Sequence, residues 1–285
     1  MPRPEAPALR TQRWRDGAWA DADDQVAAEE PLQLSLNGSP LSIVMRTPGQ
    51  DLELALGLLW AERVITDLTQ VERVRLSAEA QESETALPVI GDLVESNLVD
   101  VHLRGAAGRL PERSFLQSSA CGVCGATTVE SLALDLAVLP AGPDFDASML
   151  TGLVDALREH QRVFDRTGGL HAAGLFDATG KAMVVREDVG RHNAVDKVVG
   201  RALLDRRVPL RESMLVVSGR GGYEIVQKAV AAGIPLVAAV GAPSSLAVQT
   251  ARHFNLTLAG FVRDGRFNVY SAPERLQGAF PGKGG

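Results

Sequence analysis

Met214-Leu215-Val216-Val217-Ser218-Gly219-Arg220-Gly221-Gly222-Tyr223-Glu224-Ile225-Val226-Gln227-Lys228-Ala229-Val230-Ala231-Ala232-Gly233-Ile234-Pro235-Leu236-Val237-Ala238-Ala239-Val240-Gly241 is the stretch that settles the fold class. The strand expected over 214–218 opens on the unbroken apolar run 214–217 and reads as buried on both faces, since alternation arises only where one face meets water. A glycine-rich loop follows, then helical spacing over 223–232 and a second apolar run over 234–240. Strand, helix and strand in this order build a sheet with helices on its faces.

The same alternation extends outward from this unit. A helix is predicted over 244–254 and a strand over 256–262 leading to Asp264-Gly265. Upstream, strands are expected over 170–176 and 182–186, with helices over 149–164 and 193–204. The sequence therefore predicts a three-layer α/β domain with a largely parallel core over 127–285. Nearer the start, Leu32, Leu34 and Leu36 precede Asn37-Gly38, and Leu41, Ile43 and Met45 follow it. That pattern predicts a β-hairpin, with Ser39-Pro40 loosening its turn. Asp51 is placed to cap a helix through Val64, and strands are expected over 71–76 and 98–103. These elements make a small N-terminal α+β domain over 29–115. Residues 1–28 lack a period and are expected to form a weakly ordered tail. Residues 116–126 then fall at the seam, just before a helix expected from about Thr127.

The chain's 285 residues allow two domains, and its 45% hydrophobic content supports a core for each. With only 5% aromatic residues, that core must be aliphatic. A formal charge of −6 argues against nucleic acid or an anionic membrane as partner. No apolar run reaches the roughly 20 residues of a membrane span, and Met1-Pro2-Arg3-Pro4-Glu5 has no apolar leader pattern. A cytoplasmic protein is expected.

The only two cysteines stand three apart in Cys121-Gly122-Val123-Cys124-Gly125, within the seam. Glycines on both sides allow close approach of another molecule, and a nearby helix start favours the thiolate. The spacing suits thiol–disulfide redox chemistry, half of a metal site or a persulfide carrier, against the plain alternative of two buried thiols. Zinc would need more ligands, and His102, His160, His171, His192 and His253 show no ligand spacing. A zinc deaminase would carry His-x-Glu ahead of Pro-Cys-x-x-Cys. Here Ala173 stands two after His171, and Ala120 precedes the cysteines, which themselves precede the histidine. A thioredoxin-like arrangement would place the pair after the first strand of a small fold, not after about 115 other residues.

Three further segments carry chemistry. Gly168-Gly169-Leu170-His171 presents an imidazole at a strand start, although spacing alone slightly favours a histidine bonded within the core. Seven of the twelve residues in Arg186-Glu187-Asp188-Val189-Gly190-Arg191-His192-Asn193-Ala194-Val195-Asp196-Lys197 are ionisable, and that density points to a binding or catalytic loop. Lastly, Ser218–Gly222, Gly241–Ser245 and Phe261-Val262-Arg263-Asp264-Gly265-Arg266 follow three successive strands. Ligands of open α/β sheets bind at such strand ends, where helix N-termini favour anions. Arg220, Arg263 and Arg266 add fixed positive charge, so a nucleotide or phosphate crevice is predicted, although Asp264-Gly265 alone also suits a hairpin turn.

With these segments quoted, the chain resembles the FdhD family of sulfur carrier proteins required for formate dehydrogenase activity. The resemblance runs from about Glu30 to Arg275. It rests on the cysteine motif, the run from Glu187 to Lys197, Tyr223-Glu224-Ile225-Val226-Gln227-Lys228, and the segment from Asn255 through Arg266. Arg63 and Gly221-Gly222 depart from the family pattern. The resemblance implies a small N-terminal domain joined to a larger one like cytidine deaminase. It also implies a sulfurtransferase that takes persulfide sulfur from a cysteine desulfurase onto Cys121, with Cys124 as its partner. The acceptor would be molybdenum bis(molybdopterin guanine dinucleotide) of a molybdenum or tungsten formate dehydrogenase. Its guanine nucleotide would be held by Phe261, Val262, Arg263, Asp264, Gly265 and Arg266, to which the strand-end loops add Arg220. No resident metal is expected, and a homodimer is left open. The competing readings are a thiol–disulfide oxidoreductase and a non-catalytic chaperone for the cofactor or the apo-enzyme.

Overall fold

The computed structural model describes residues 4–77, 87–93, 97–105, 115–117 and 136–278. The first part contains β1 (Ala8–Arg15), β2 (Ala18–Gln25), β3 (Glu30–Leu36), β4 (Ser39–Arg46), α1 (Asp51–Ala61), β5 (Val71–Ser77), β6 (Val89–Leu93), β7 (Leu98–Leu103) and β8 (Phe115–Gln117). The second contains β9 (Phe145–Asp146), α2 (Met149–Glu159), α3 (Arg162–Thr167), β10 (His171–Asp177), β11 (Ala182–Asp188) and α4 (Arg191–Leu204). It continues with β12 (Ser213–Val217), α5 (Tyr223–Ala231), β13 (Leu236–Ala239), α6 (Ser245–His253), β14 (Thr257–Arg263), β15 (Arg266–Ser271) and β16 (Leu276–Gln277).

Two six-stranded sheets dominate. The first runs β6-β5-β7-β3-β4-β8 and the second β11-β10-β12-β13-β14-β15. In the second sheet, alternate residues of each strand feed opposite cores, as the strand period requires. Leu215, Val217, Val237 and Ala239 pack toward α4, α5 and α6. Met214, Val216, Leu236 and Ala238 pack toward Leu150, Leu153 and Leu157 of α2. Both faces are covered, so this part is a three-layer α/β structure, and its strand order is compatible with a deaminase-like architecture. The expected largely parallel core is corrected, because only β12–β13 and β13–β14 are parallel. β10 runs antiparallel to both β11 and β12, and β15 antiparallel to β14. Apolar runs report burial on both faces and carry no information on direction.

The first sheet begins with the anticipated hairpin. Asn37 and Gly38 take positive φ values of 51° and 79° and form a tight two-residue turn. Ser39 and Pro40 do not loosen it; they pair with Leu36 and Ser35, and a register shift at Leu34/Ser35 absorbs the irregularity. Asp51 does not cap α1. Gln50 holds that position in a left-handed conformation, and Asp51 instead grips buried Arg46 through two bonds of 2.8 and 2.9 Å. The single helix expected over 149–164 is two helices, broken at His160 and Gln161. Residues 1–28, expected as a weakly ordered tail, instead carry the antiparallel hairpin β1–β2.

Beyond Asp51 and Glu53, α1 is apolar on every side because it is packed on every side, against the first sheet and against α4. The two helices cross with their backbones in contact. A Cβ added at Gly57 would stand 1.9 Å from the Asp196 carbonyl oxygen, and one at Gly200 would stand 1.8 Å from that of Glu53. The Trp60 indole N–H donates to the Ala231 carbonyl at 2.8 Å, fixing α1 to the end of α5. The two sheets therefore share one continuous core. Gly57→Ala is expected to destabilise the protein by at least about 1–3 kcal/mol through overpacking. Gly152→Ala, at a helical glycine with open space around it, should stabilise it by about 0.5–1 kcal/mol. Urea denaturation followed by circular dichroism measures both, and equal effects would contradict the crossing.

Candidate functional site

The ends of β12, β13 and β14 are laced together by backbone hydrogen bonds. Gly241 N–H donates to the Gly219 carbonyl at 2.9 Å, Ser244 N–H to Gly221 at 3.3 Å, and Phe261 N–H to Gly241 at 3.1 Å. A Cβ at Gly241 would meet the Gly219 carbonyl oxygen at 3.0 Å, a contact tight enough that the loop would have to shift by a few tenths of an ångström to admit it. Ser218 Oγ accepts the Ala172 N–H at 2.8 Å, tying the loop to the start of β10. His171, Arg191 and Arg220 are thereby brought to one rim, although they come from three different strand ends. The rim adjoins a cavity of about 470 Å³ lined by Gln161, Phe164, Gly169, His171, Ser218 and Val240.

The electrostatics of this rim are basic. His171 is half-buried, and its pKa lies below the ordinary histidine value because burial penalises the cation, with Arg191 and His192 adding repulsion. Arg191 is the first residue of α4, behind Gly190, which supplies no side-chain cap. Its Nε is buried without a hydrogen-bond partner. α5 likewise starts behind Gly222 without a side-chain cap. His192 Nδ1 lies 2.8 Å from Glu224, and this bond holds the Glu224 carboxyl below its usual range. Burial and the carboxylates of Glu62 and Glu224 push the neighbouring Tyr223 phenol up to about 12.

The charge-dense run from Arg186 to Lys197, expected as a binding or catalytic loop, is mainly structural. Arg186 pairs with Glu53 through bonds of 2.6 and 2.8 Å. Glu187 accepts the Val163 and Phe164 N–H groups at the start of α3. Asp188 receives Lys197 at 2.8 Å, both fully buried, together with the N–H groups of Thr47 and Gly190 and the Asn193 amide. Asp196 pairs with Lys228 at 2.7 Å. Only Arg191 and His192 of the run belong to the rim. Their presence in the motif gave no sign of which charges would be consumed internally.

The predicted nucleotide segment is divided by the structure. Asp264 and Gly265, at φ 51° and 71°, form the turn between β14 and β15, with Arg263 paired to Arg266 across it. Both arginines are exposed, as is Arg220. None of the three makes an ion pair among the described residues. Phe261 is joined by its backbone to Gly241. The Val262 side chain is fully buried in the core shared with α2. Cys121 and Cys124, and the helix expected from Thr127, lie outside the described residues. Among those residues no group of three or more His, Cys, Asp or Glu converges as a metal site.

The class defined here is a shared-core α/β fold with a basic rim at its strand ends. Comparison with known proteins makes this particular: residues 27–277 match the FdhD/NarQ family model, and the chain belongs to that family. A Corynebacterium efficiens protein named sulfur carrier protein FdhD is 48% identical over 258 residues, covering 87% of this chain and 89% of its own. One of the same name from Sulfolobus acidocaldarius is 41% identical over 269 residues, covering 94% and 97%. A solved structure from Desulfotalea psychrophila, described as a formate dehydrogenase accessory protein, superposes with a TM-score of 0.74 at 25% identity. That match covers 96% of this chain and 100% of its own.

His171 is expected to titrate below the ordinary histidine value of about 6.5, and Arg191→Gln should move its midpoint upward. Since the unfolded chain binds this proton more readily, the group's stabilising contribution is intact above that value. It is lost as pH falls through it toward the depressed folded value. An imidazole-resolved NMR titration measures the midpoint; a value at or above the ordinary one would refute the arrangement.

Proposed function

We propose that this chain is a cytoplasmic sulfur carrier serving formate dehydrogenase. It takes persulfide sulfur from a cysteine desulfurase onto Cys121 and delivers it to bis-molybdopterin guanine dinucleotide. The observation that carries this reading is one of coincidence. The chain aligns along nearly its whole length with relatives named sulfur carrier proteins, and its only two thiols form Cys121-Gly122-Val123-Cys124-Gly125.

The chemistry asks for a thiolate and an anionic acceptor. Cys121 thiolate attacks the terminal sulfur of the donor persulfide; that sulfur–sulfur bond breaks and the donor cysteine leaves as a thiolate. Giving up the terminal sulfur returns the Cys121 thiolate. Cys124 thiolate, attacking the inner sulfur, would instead expel hydrosulfide and leave a disulfide. The acceptor carries nucleotide phosphates, and the rim fits such a group. Arg191 has a buried nitrogen without a partner, and Arg220, Arg263 and Arg266 are exposed, in a chain of net charge −6. Guanidinium groups match phosphate geometry in forked pairs.

Incubation with a cysteine desulfurase and cysteine, followed by mass spectrometry, is expected to show one added sulfur on Cys121. A bare Cys121–Cys124 disulfide would favour a thiol–disulfide oxidoreductase, and no change a non-catalytic chaperone. Cys121→Ala should abolish formate dehydrogenase maturation in cells lacking the wild type. Arg263→Ala combined with Arg266→Ala should weaken guanine-nucleotide binding at least about tenfold, through lost charge-assisted bonds, while sulfur loading persists. Unchanged calorimetric affinity would remove these two residues from the acceptor site.

A further inference from the structure

A cavity of about 810 Å³ opens where the two parts of the chain meet, at the far end of α4 from the rim. α4 begins at Arg191 and ends at Leu204, and its 14 residues put about 20 Å between the two places. The volume falls within the range of small-molecule sites, which are concave, mostly apolar and carry a few convergent polar groups. Trp60 of α1, Leu68, Val71, Leu87, Leu204 and Val208 form its apolar wall. Leu68, Leu87, Leu204 and Val208 are only partly buried against the shared core, so aliphatic surface is left facing the space. The Trp60 N–H is already engaged by the Ala231 carbonyl, and the indole gives the wall its ring alone.

Two guanidinium groups complete the lining, one from each part of the chain. Arg104 follows β7 and donates its backbone N–H to the Gln70 carbonyl at 2.8 Å. Arg206 follows α4. Neither side chain makes an ion pair among the described residues. Asp67 also borders the cavity, but its carboxylate accepts the Thr69 N–H and hydroxyl at 2.7 and 2.6 Å. Two cations against one engaged carboxylate leave the lining positive. The backbone at Arg206 adds a separate observation. Arg206 N–H donates to the Leu203 carbonyl at 2.9 Å and Arg207 N–H to that of Ala202 at 2.9 Å, a pair of bonds that closes a helix through a left-handed residue. Arg206 takes that conformation, at φ 56°, which glycine adopts without a Cβ penalty. An arginine thus stands where the local backbone favours glycine, which points to a use for its side chain.

We propose that this cavity binds a small amphipathic carboxylate, with its aliphatic body against Trp60, Leu204 and Val208 and its anionic head paired with Arg104 and Arg206. A neutral apolar ligand would leave both guanidinium groups unused, and a cation would be repelled by them. A compact, multiply charged phosphate would gain from the arginines but leave the aliphatic wall uncovered. Guanidinium and carboxylate form charge-assisted, forked hydrogen bonds, so one head group can engage these donors with a fixed orientation. The site is distinct from the basic rim, since Arg191, Arg220, Arg263 and Arg266 do not border it.

Calorimetric titration of the full chain with decanoate tests the assignment. Saturable binding at one equivalent per chain is expected, with 1-decanol and decyltrimethylammonium each at least about tenfold weaker because they lack the charge-assisted bonds. Arg206→Gly should weaken decanoate at least about tenfold while leaving the thermal midpoint of the free protein no lower, since glycine suits the left-handed position. Arg104→Gln should cause a similar loss with an unchanged circular dichroism spectrum. Leu204→Trp, which fills the cavity, should weaken decanoate and 1-decanol alike. Failure of decanoate to saturate, equal affinity for the three probes, or an affinity unmoved by both Arg206→Gly and Arg104→Gln would each overturn the proposal.

Discussion

The Asp188 carboxylate is the point at which the molecule is tied together. It ends β11 and accepts from Thr47 of the N-terminal part, from Gly190 and Asn193 at the start of α4, and from the Lys197 ammonium one turn further on. Lys197 in turn donates to the Thr47 carbonyl at 3.0 Å, and Asn193 to that of Met45 at 2.7 Å. A buried ion pair gives little net stability against apolar residues of the same shape, but breaking one half costs about 3–5 kcal/mol. Its effect here is therefore one of position. It fixes where the chain after β4 meets α4, and hence how α1 lies across α4.

That placement determines the rim. Because α4 is anchored by Asp188 and by the contact at Gly57 and Gly200, its first residues cannot drift from the end of β12. Arg191 is held beside Gly219 and His171, and His192 is held against Glu224 of the next helix. Neither sheet builds the rim alone. The second sheet supplies its residues, and the first sheet, through Thr47 and α1, fixes their helix. This explains why two units so different in topology share a single core.

How much of this could be read in the sequence depended on the range of the forces involved. The unit from Met214 to Val240 was legible because apolar runs and helical periods are local signals. The hairpin at Asn37-Gly38 was legible because few dipeptides tolerate two positive φ angles. The hairpin β1–β2 was not, since its strands alternate arginine, aspartate and alanine without an apolar face. Its order comes from cross-strand pairs such as Trp14–Trp19. The run from Arg186 to Lys197 misled for the opposite reason. Arg186 is satisfied by Glu53 and Asp188 in part by Thr47, both more than 130 residues away in the chain, and no local pattern announces partners at that distance. The strand-end loops were readable as a group, but Arg191 was hidden among charges that proved structural.

The distribution of paired and unpaired guanidinium groups then bears on function. Arg46, Arg186 and Arg201 are engaged by Asp51, Glu53 and Asp205, and so contribute little field beyond their own contacts. Arg191, Arg220, Arg263 and Arg266 have no carboxylate partner among the described residues, and the lacing of Gly219, Gly241 and Phe261 links the strand ends that carry them. A chain of net charge −6 repels polyanions at a distance, yet this edge presents them with positive charge and two uncapped helix starts. Field of this kind is local and screened within about 8–10 Å at ordinary ionic strength. It favours an anion already held close to this edge over one captured from bulk solution.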